Sequence, residues 1–172
     1  MSQRQNVEAR APARVTSQES IMESEFAVNV RQSAEKSFAA GLYCAESVVL
    51  ALARAQGIES DLLPRIATGF CGGMARTCGT CGALTGAMMG VSLALGRSDA
   101  KASVQPSYQA TQQLVLEFEQ AFGSRDCHVL LGCDLNTPHG QAMFREQHLA
   151  ERCARYTGKA AEIAARIVCE SQ

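Results

Sequence analysis

Apolar residues recur at helical spacing along nearly the whole chain. Phe26, Val30, Ala34 and Phe38 fall at four-residue intervals, which predicts an amphipathic helix over about 22–40, stopped by Gly41. Val48, Val49, Leu52 and Ala55 mark a second helix over 45–55 that ends at Gly57. Asp61 is placed to cap a short third helix reaching Ala67. Leu84, Met88, Val91 and Leu95 share one face of a fourth helix over 81–95. Pro106 suits the first turn of a fifth, whose apolar face is Leu114, Val115, Phe118, Ala121 and Phe122 and which Gly123 closes. Ser124 or Asp126 then caps a short helix holding Cys127, Leu130 and Leu131. Thr137 and Pro138 read as a cap and a first helical position. The tail over 158–169 turns Ile163, Ala164, Ile167 and Val168 inward, with Thr157 as its cap. Alternating strand patterns and Asn-Gly or Asp-Gly hairpin signals are absent. The expected fold class is all-α: an irregular bundle of six to eight helices forming a single domain over 22–172, preceded by a polar, flexible arm over 1–21.

Composition narrows the possibilities. A chain of 172 residues that is 47% hydrophobic and 19% charged can close one core without disulfides. The net charge is −1, with no basic stripe, and aromatics make up only 5%, so neither a nucleic-acid surface nor a base-stacking platform is expected. The first twenty residues lack the apolar segment of a signal peptide, and Glu8 and Glu19 interrupt any transit sequence. Cytoplasmic residence, where thiols stay reduced, is the resulting expectation. The stretch 77–96 carries no charge, but its apolar run proper covers only 83–95, which favours a buried core helix over membrane insertion. That helix is rich in small residues (Gly82, Ala83, Gly86, Ala87, Gly90). Each glycine costs about 1 kcal/mol relative to alanine in a helix. Close approach must offset that cost, whether by another helix, a cofactor, or a second copy in a homodimer.

The chemistry points to cysteine. The chain has eight cysteines and no tryptophan. Cys71, Cys78 and Cys81 sit in one glycine-rich stretch over 69–86, with Cys44 one helix upstream. Cys78-x-x-Cys81 opens the fourth helix, Cys127 lies in the first turn of a short one, and Cys44 and Cys153 lie near helix starts. Free backbone N–H groups at a helix N-terminus favour the thiolate, so this placement suits a bound cation or cluster. Gly72, Gly73 and Gly82 would leave backbone N–H groups open to the bound group. By spacing alone, Cys78-x-x-Cys81 fits a zinc half-site, an iron–sulfur half-site or a dithiol switch. A second Cys-x-x-Cys is missing, which argues against a zinc ribbon, and a tight ferredoxin run is absent too. Gly82 rather than histidine follows Cys81, which excludes c-type haem attachment there, and no βαβ context supports a thioredoxin.

Four segments in order resemble a known family. Cys81-Gly82-Ala83-Leu84-Thr85-Gly86 is similar to the Cys-Gly-Ala-x-x-Gly signature of the redox-active proteins named for the pattern C_GCAxxG_C_C. Upstream, Tyr43-Cys44-Ala45-Glu46-Ser47 resembles the family's first cysteine. Ala67-Thr68-Gly69-Phe70-Cys71-Gly72-Gly73-Met74 resembles its glycine-rich approach to the signature. Phe122-Gly123-Ser124-Arg125-Asp126-Cys127-His128-Val129-Leu130-Leu131-Gly132 resembles its third-cysteine segment, and Cys153-Ala154-Arg155-Tyr156 its fourth. The resemblance runs from about Phe38 to the C-terminus, and extends to the helical part of split-Soret cytochromes c.

The resemblance implies a helical domain in which Cys44, Cys81, Cys127 and Cys153 converge on an iron–sulfur cluster or another thiophilic metal, Cu(I) or Zn(II), with Cys78 and Cys71 as alternates. The implied activity is electron transfer with a partner protein. Two other readings stand beside it: thiol–disulfide exchange by Cys78 and Cys81, and a non-enzymatic soft-metal module. Cysteines could also meet across two subunits of a homodimer. Cys169, at core spacing beside Ile167 and Val168, fits a packing role, whereas Cys133 fits a packing or ligand role equally. His128, His139 and His148 read as surface or capping residues, although His128 adjoins Cys127. Met74, Met88 and Met89 fit core packing better than a Cu(I) set. Helix capping accounts for Glu46 and Asp126.

Overall fold

Over residues 17–171, those the computed structural model describes, helical periodicity becomes eight helices and no strand. They are α1 (Ser17–Ala39), α2 (Cys44–Ala55), α3 (Leu62–Ala67), α4 (Gly82–Leu95), α5 (Gln105–Phe122), α6 (Cys127–Leu131), α7 (Pro138–Glu146) and α8 (Ala150–Glu170). Between α3 and α4, a 3-10 turn (Thr68–Phe70) leads into a glycine turn (Cys71–Met74) whose interior leaves helical geometry. Residues 1–16 of the expected arm lie outside the described residues. Helix α1 begins at Ser17.

The starts and stops follow local chemistry. Glu46 in the first turn of α2 reaches back to accept from the Tyr43 N–H at 2.7 Å. Thr137 caps α7, its hydroxyl accepting from the Gly140 N–H at 3.0 Å. At α3 it is Ser60, not Asp61, whose hydroxyl accepts from the chain, at the Leu62 N–H. Before α6, Ser124 accepts from the Asp126 N–H at 3.1 Å and shapes the turn, while Asp126 holds the cap position without a side-chain cap bond. The last helix departs most from expectation. It starts at Ala150, so Thr157 is a fully buried interior residue of α8 rather than its cap. Leu149, Cys153 and Tyr156 supply the apolar contacts that fold this first part of α8 against the rest.

The core lies where α1, α2, α4 and α5 pack around α8, with Val48, Leu52, Leu84, Val91, Leu114, Phe118 and Ile167 essentially removed from solvent. The glycines of α4 are spent inside this bundle. A Cβ at Gly86 would lie 2.5 Å from the Ala45 carbonyl oxygen and 2.8 Å from its Cα, and one at Gly90 would overlap the Leu52 side chain. Gly82, Gly86 and Gly90 thus form a seam on which α2 rides, and this face is covered within the chain rather than left for a second copy. No helix among the described residues is long and apolar enough to cross a membrane. The uncharged stretch becomes the buried α4, as its short apolar run predicts.

Candidate functional site

The seam sets α2 and α4 side by side with their first residues at one end of the bundle. There a cavity of about 590 Å³ is lined by five thiols: Cys44, Cys71, Cys81, Cys127 and Cys153. Each comes from a different element. Cys44 opens α2, Cys71 opens the glycine turn, Cys81 is the cap residue of α4, Cys127 opens α6, and Cys153 lies in the first turn of α8. Leu130, Leu131, Leu135, Phe144 and Tyr156 make up much of the remaining wall.

Backbone pairing fixes the sulfurs relative to one another. The Cys81 N–H donates to the Arg125 carbonyl at 2.8 Å, and the Cys127 N–H donates to the Gly79 carbonyl at 3.0 Å. These reciprocal bonds make an isolated antiparallel bridge between Thr80 and Asp126 and dock α6 onto the start of α4. Gly73 permits the docking, since a Cβ there would lie 2.5 Å from that of Cys127. Gly82 permits the next contact: a Cβ would overlap the Cys44 sulfur and lie 3.1 Å from the Cys71 Cα. Of the three glycines singled out in the sequence, only Gly72 lines the cavity; Gly73 and Gly82 let cysteine-bearing segments touch. Tyr156, which lines the cavity, donates its hydroxyl to the Leu130 carbonyl at 3.1 Å and ties α8 to α6. Its ring packs edge-on against Phe122, with centroids 4.7 Å apart. Behind Cys44 and Cys71, the buried Glu46 also accepts from the Thr68 hydroxyl at 2.6 Å, anchoring the turn to α2.

The electrostatics overturn one expectation. Helix starts do not make these groups thiolates, because burial wins. Burial pushes Cys81 up to about 12, although the N–H groups of Ala83 and Leu84 at the start of α4 pull the other way. Burial likewise raises Cys127 to about 11 and Cys153 to about 12. Cys71, whose thiol donates to the Ala67 carbonyl at 3.7 Å, is raised further still, first by the neighbouring Cys44 thiol and then by burial, against the N–H groups of Ala45 and Glu46 at the start of α2. Cys71, Cys81, Cys127 and Cys153 therefore line the cavity as neutral thiols. Backbone N–H groups near the Cys71 and Cys81 sulfurs would stabilise negative charge there.

The turn between Cys71 and Cys81 is held in an uncommon conformation. Gly72, Gly73, Met74, Ala75 and Arg76 follow one another at φ of 63°, 72°, 58°, 55° and 67°, and Cys78 is at 60°. Left-handed backbone costs roughly 1–2 kcal/mol at each non-glycine residue. Bonds from Ala75 N–H to the Cys71 carbonyl at 2.9 Å and from Gly79 N–H to the Gly73 carbonyl at 3.0 Å hold it there. Its outcome is that Arg76 folds back over Gly72, its Cγ 3.6 Å from where a Gly72 Cβ would be, and lines the cavity.

The remaining candidates lie elsewhere. Cys78 is not among the cavity-lining residues; the nearby Asp134 carboxylate raises its thiol. Cys133 packs with Cys127, Leu131 and Leu149 in a small apolar cluster behind the wall. Cys169 lies in the last turn of α8, where burial and then Glu23 raise its thiol. His128 is exposed, with Nδ1 3.3 Å from the Cys78 carbonyl oxygen. Met88 and Met89 pack on the core and Met74 is exposed, so no methionine lines the cavity. Among the described residues no three His, Cys, Asp or Glu side chains gather closely enough to hold one metal ion. Sequence reasoning assigned no role to Tyr156, Arg76 or Arg145. The first lies one turn after Cys153, a detectable spacing, whereas the arginines gave no signal.

Residues 42–167 match the model of the family described as "Putative redox-active protein (C_GCAxxG_C_C)", and the chain belongs to that family. No match was found among curated proteins or among solved structures.

Proposed function

We propose that this member of the family is a redox protein whose thiol-lined cavity holds an iron–sulfur cluster through Cys44, Cys81, Cys127 and Cys153, with Cys71 adjacent as a fifth thiol. The observation that carries the reading is that five thiols from five separate elements open onto one cavity. Two further features support it. The thiols surround a space but do not close on a single point, which suits a polynuclear group better than one Cu(I) or Zn(II) ion. Backbone N–H groups lie near the Cys71 and Cys81 sulfurs, the kind of donor that tunes cluster potential. Neutral thiols must lose their protons to a bound cation, so loading releases protons and strengthens as pH rises. The cluster would supply one-electron chemistry. The chain's own residues hold it, shield it behind Leu130, Leu131 and Phe144, and leave one side near the surface for a partner protein.

Protein purified or reconstituted without oxygen should contain iron and sulfide and absorb in the visible. Cys81→Ser and Cys127→Ser should lose both, and Cys169→Ser should keep them. Colourless, iron-free protein after reconstitution would end this reading.

One observation favours a second reading. A Cβ at Gly82 would touch both the Cys44 sulfur and the Cys71 Cα, so these two cysteines are neighbours, and thiol–disulfide exchange, if it is the activity, suits that pair better than Cys78 and Cys81. Cys81 lines the cavity with Cys71 and Cys127, whereas Cys78 does not. A mild disulfide oxidant should then give a single bridge between peptides carrying residues 44 and 71, and no bridge between 78 and 81.

A further inference from the structure

The cavity has features that a cluster held by thiols does not use. At about 590 Å³ it falls in the range of sites for small organic ligands. Among the described residues its only charged lining groups are Arg76 and Arg145, and no carboxylate lines it. Among the described residues neither arginine makes an ion pair. Arg76 is brought there by the strained left-handed turn, and such strain is retained where the surrounding structure has a use for it. Arg145 comes from a different element, in the last turn of α7, with Gln141 one turn earlier also lining the cavity. Both arginines are exposed, so each guanidinium stays hydrated and reachable, while Leu135 and Phe144 offer apolar wall in the same cavity. An unpaired guanidinium presents a planar fork of donors that fits a carboxylate in bidentate fashion. Two such forks above apolar wall recognise a charged head joined to a short hydrocarbon body.

We propose that the thiol-lined cavity is also the binding site of a small organic carboxylate, its head held by Arg76 and Arg145 and its body against Leu135 and Phe144. The assignment takes from the preceding reading only that this cavity is the working site; the binding itself requires no metal.

The cavity thiols serve as reporters. Full-length, reduced, chelator-treated protein is alkylated in parallel with iodoacetate and with neutral iodoacetamide, which are nearly the same size, and each cysteine is followed by peptide mass spectrometry. At Cys81 and Cys127 the iodoacetate-to-iodoacetamide rate ratio should fall about tenfold in the Arg76→Gln/Arg145→Gln double variant, a size typical of local charge steering. It should stay near the parent value in Arg76→Lys/Arg145→Lys. Raising salt should shrink the difference. Hexanoate should protect the same cysteines from iodoacetamide, and sulfate at equal ionic strength should not. A ratio unchanged by the double glutamine variant would overturn the proposal, and so would equal protection by sulfate, which would reassign the arginines to an inorganic oxyanion. Because metal is absent throughout, failure here leaves the cluster reading intact, and an iron-free protein leaves this one intact.

Discussion

Within the bundle, Val48 and Leu52 of α2, Leu84 and Val91 of α4, and Ala164 and Ile167 of α8 have almost no exposed surface and belong to one apolar cluster. Toward the N-terminal ends of the same three helices, Cys44, Cys81 and Cys153 surround a cavity instead. The body is held by dispersion and apolar burial across a glycine seam. The cavity end is held by backbone bonds, one tyrosine hydroxyl and a carboxylate, and it carries strain. The difference shows how a helical bundle supports an open site. The long helices are locked together where nothing reacts, so their first turns can stand apart around a void without collapsing.

The largest effect expected from breaking this contrast is in the body. Phe118→Ala should lower unfolding free energy by about 3–5 kcal/mol, seen as a lower urea midpoint, because it empties a fully buried position. Alkaline pH should come next and strike the other end. The cavity thiols of Cys81, Cys127 and Cys153 are raised when folded, so the unfolded chain binds fewer protons once pH passes the ordinary thiol value near 8.5. Their contribution is fully present below that value and is lost as pH rises toward the folded values of about 11 to 12. Metal-free protein should lose on the order of 1 kcal/mol per pH unit for each such thiol across that window, by urea titrations at stepped pH. Flat stability there would show the cavity to be wet and its thiols unburied. Gly86→Ala should cost about 1–3 kcal/mol despite its better helix propensity, because the new methyl meets Ala45 backbone that cannot rotate away. A stabilised variant would show that the seam is looser than the contacts require. The smallest effect should be Tyr156→Phe, at about 1 kcal/mol, from a hydrogen bond lost at the Leu130 carbonyl. Its sharper signature should be faster loss of iron from the reconstituted protein.

Most of the body was legible in the sequence, because period-3.6 spacing and glycine stops state burial and termination directly: Gly41, Gly57 and Gly123 each adopt positive φ at a helix end. The four cysteines carried by the family resemblance line the cavity, and Cys71 joins them. The first turns of α8 were legible only as a helix start near Cys153. Glu151, Arg152 and Arg155 break the apolar pattern, and only the packing of Cys153 and Tyr156 against distant segments settles that stretch as helix. The protonation of the thiols was misread for a related reason. A helix start is visible in sequence, but the depth at which it is buried is not, and depth set the balance. The left-handed run was hidden beyond its two glycines, since Met74, Ala75 and Arg76 have no intrinsic preference for it.

The bridge between Thr80 and Asp126 has a consequence in time. It joins segments separated by the whole of α4 and α5, so it can close only after that long excursion has folded back. Cys153 is contributed later still, by the final helix. On the ribosome, no nascent chain short of α8 would carry all five cavity thiols, so the cavity closes only after α8 has been made.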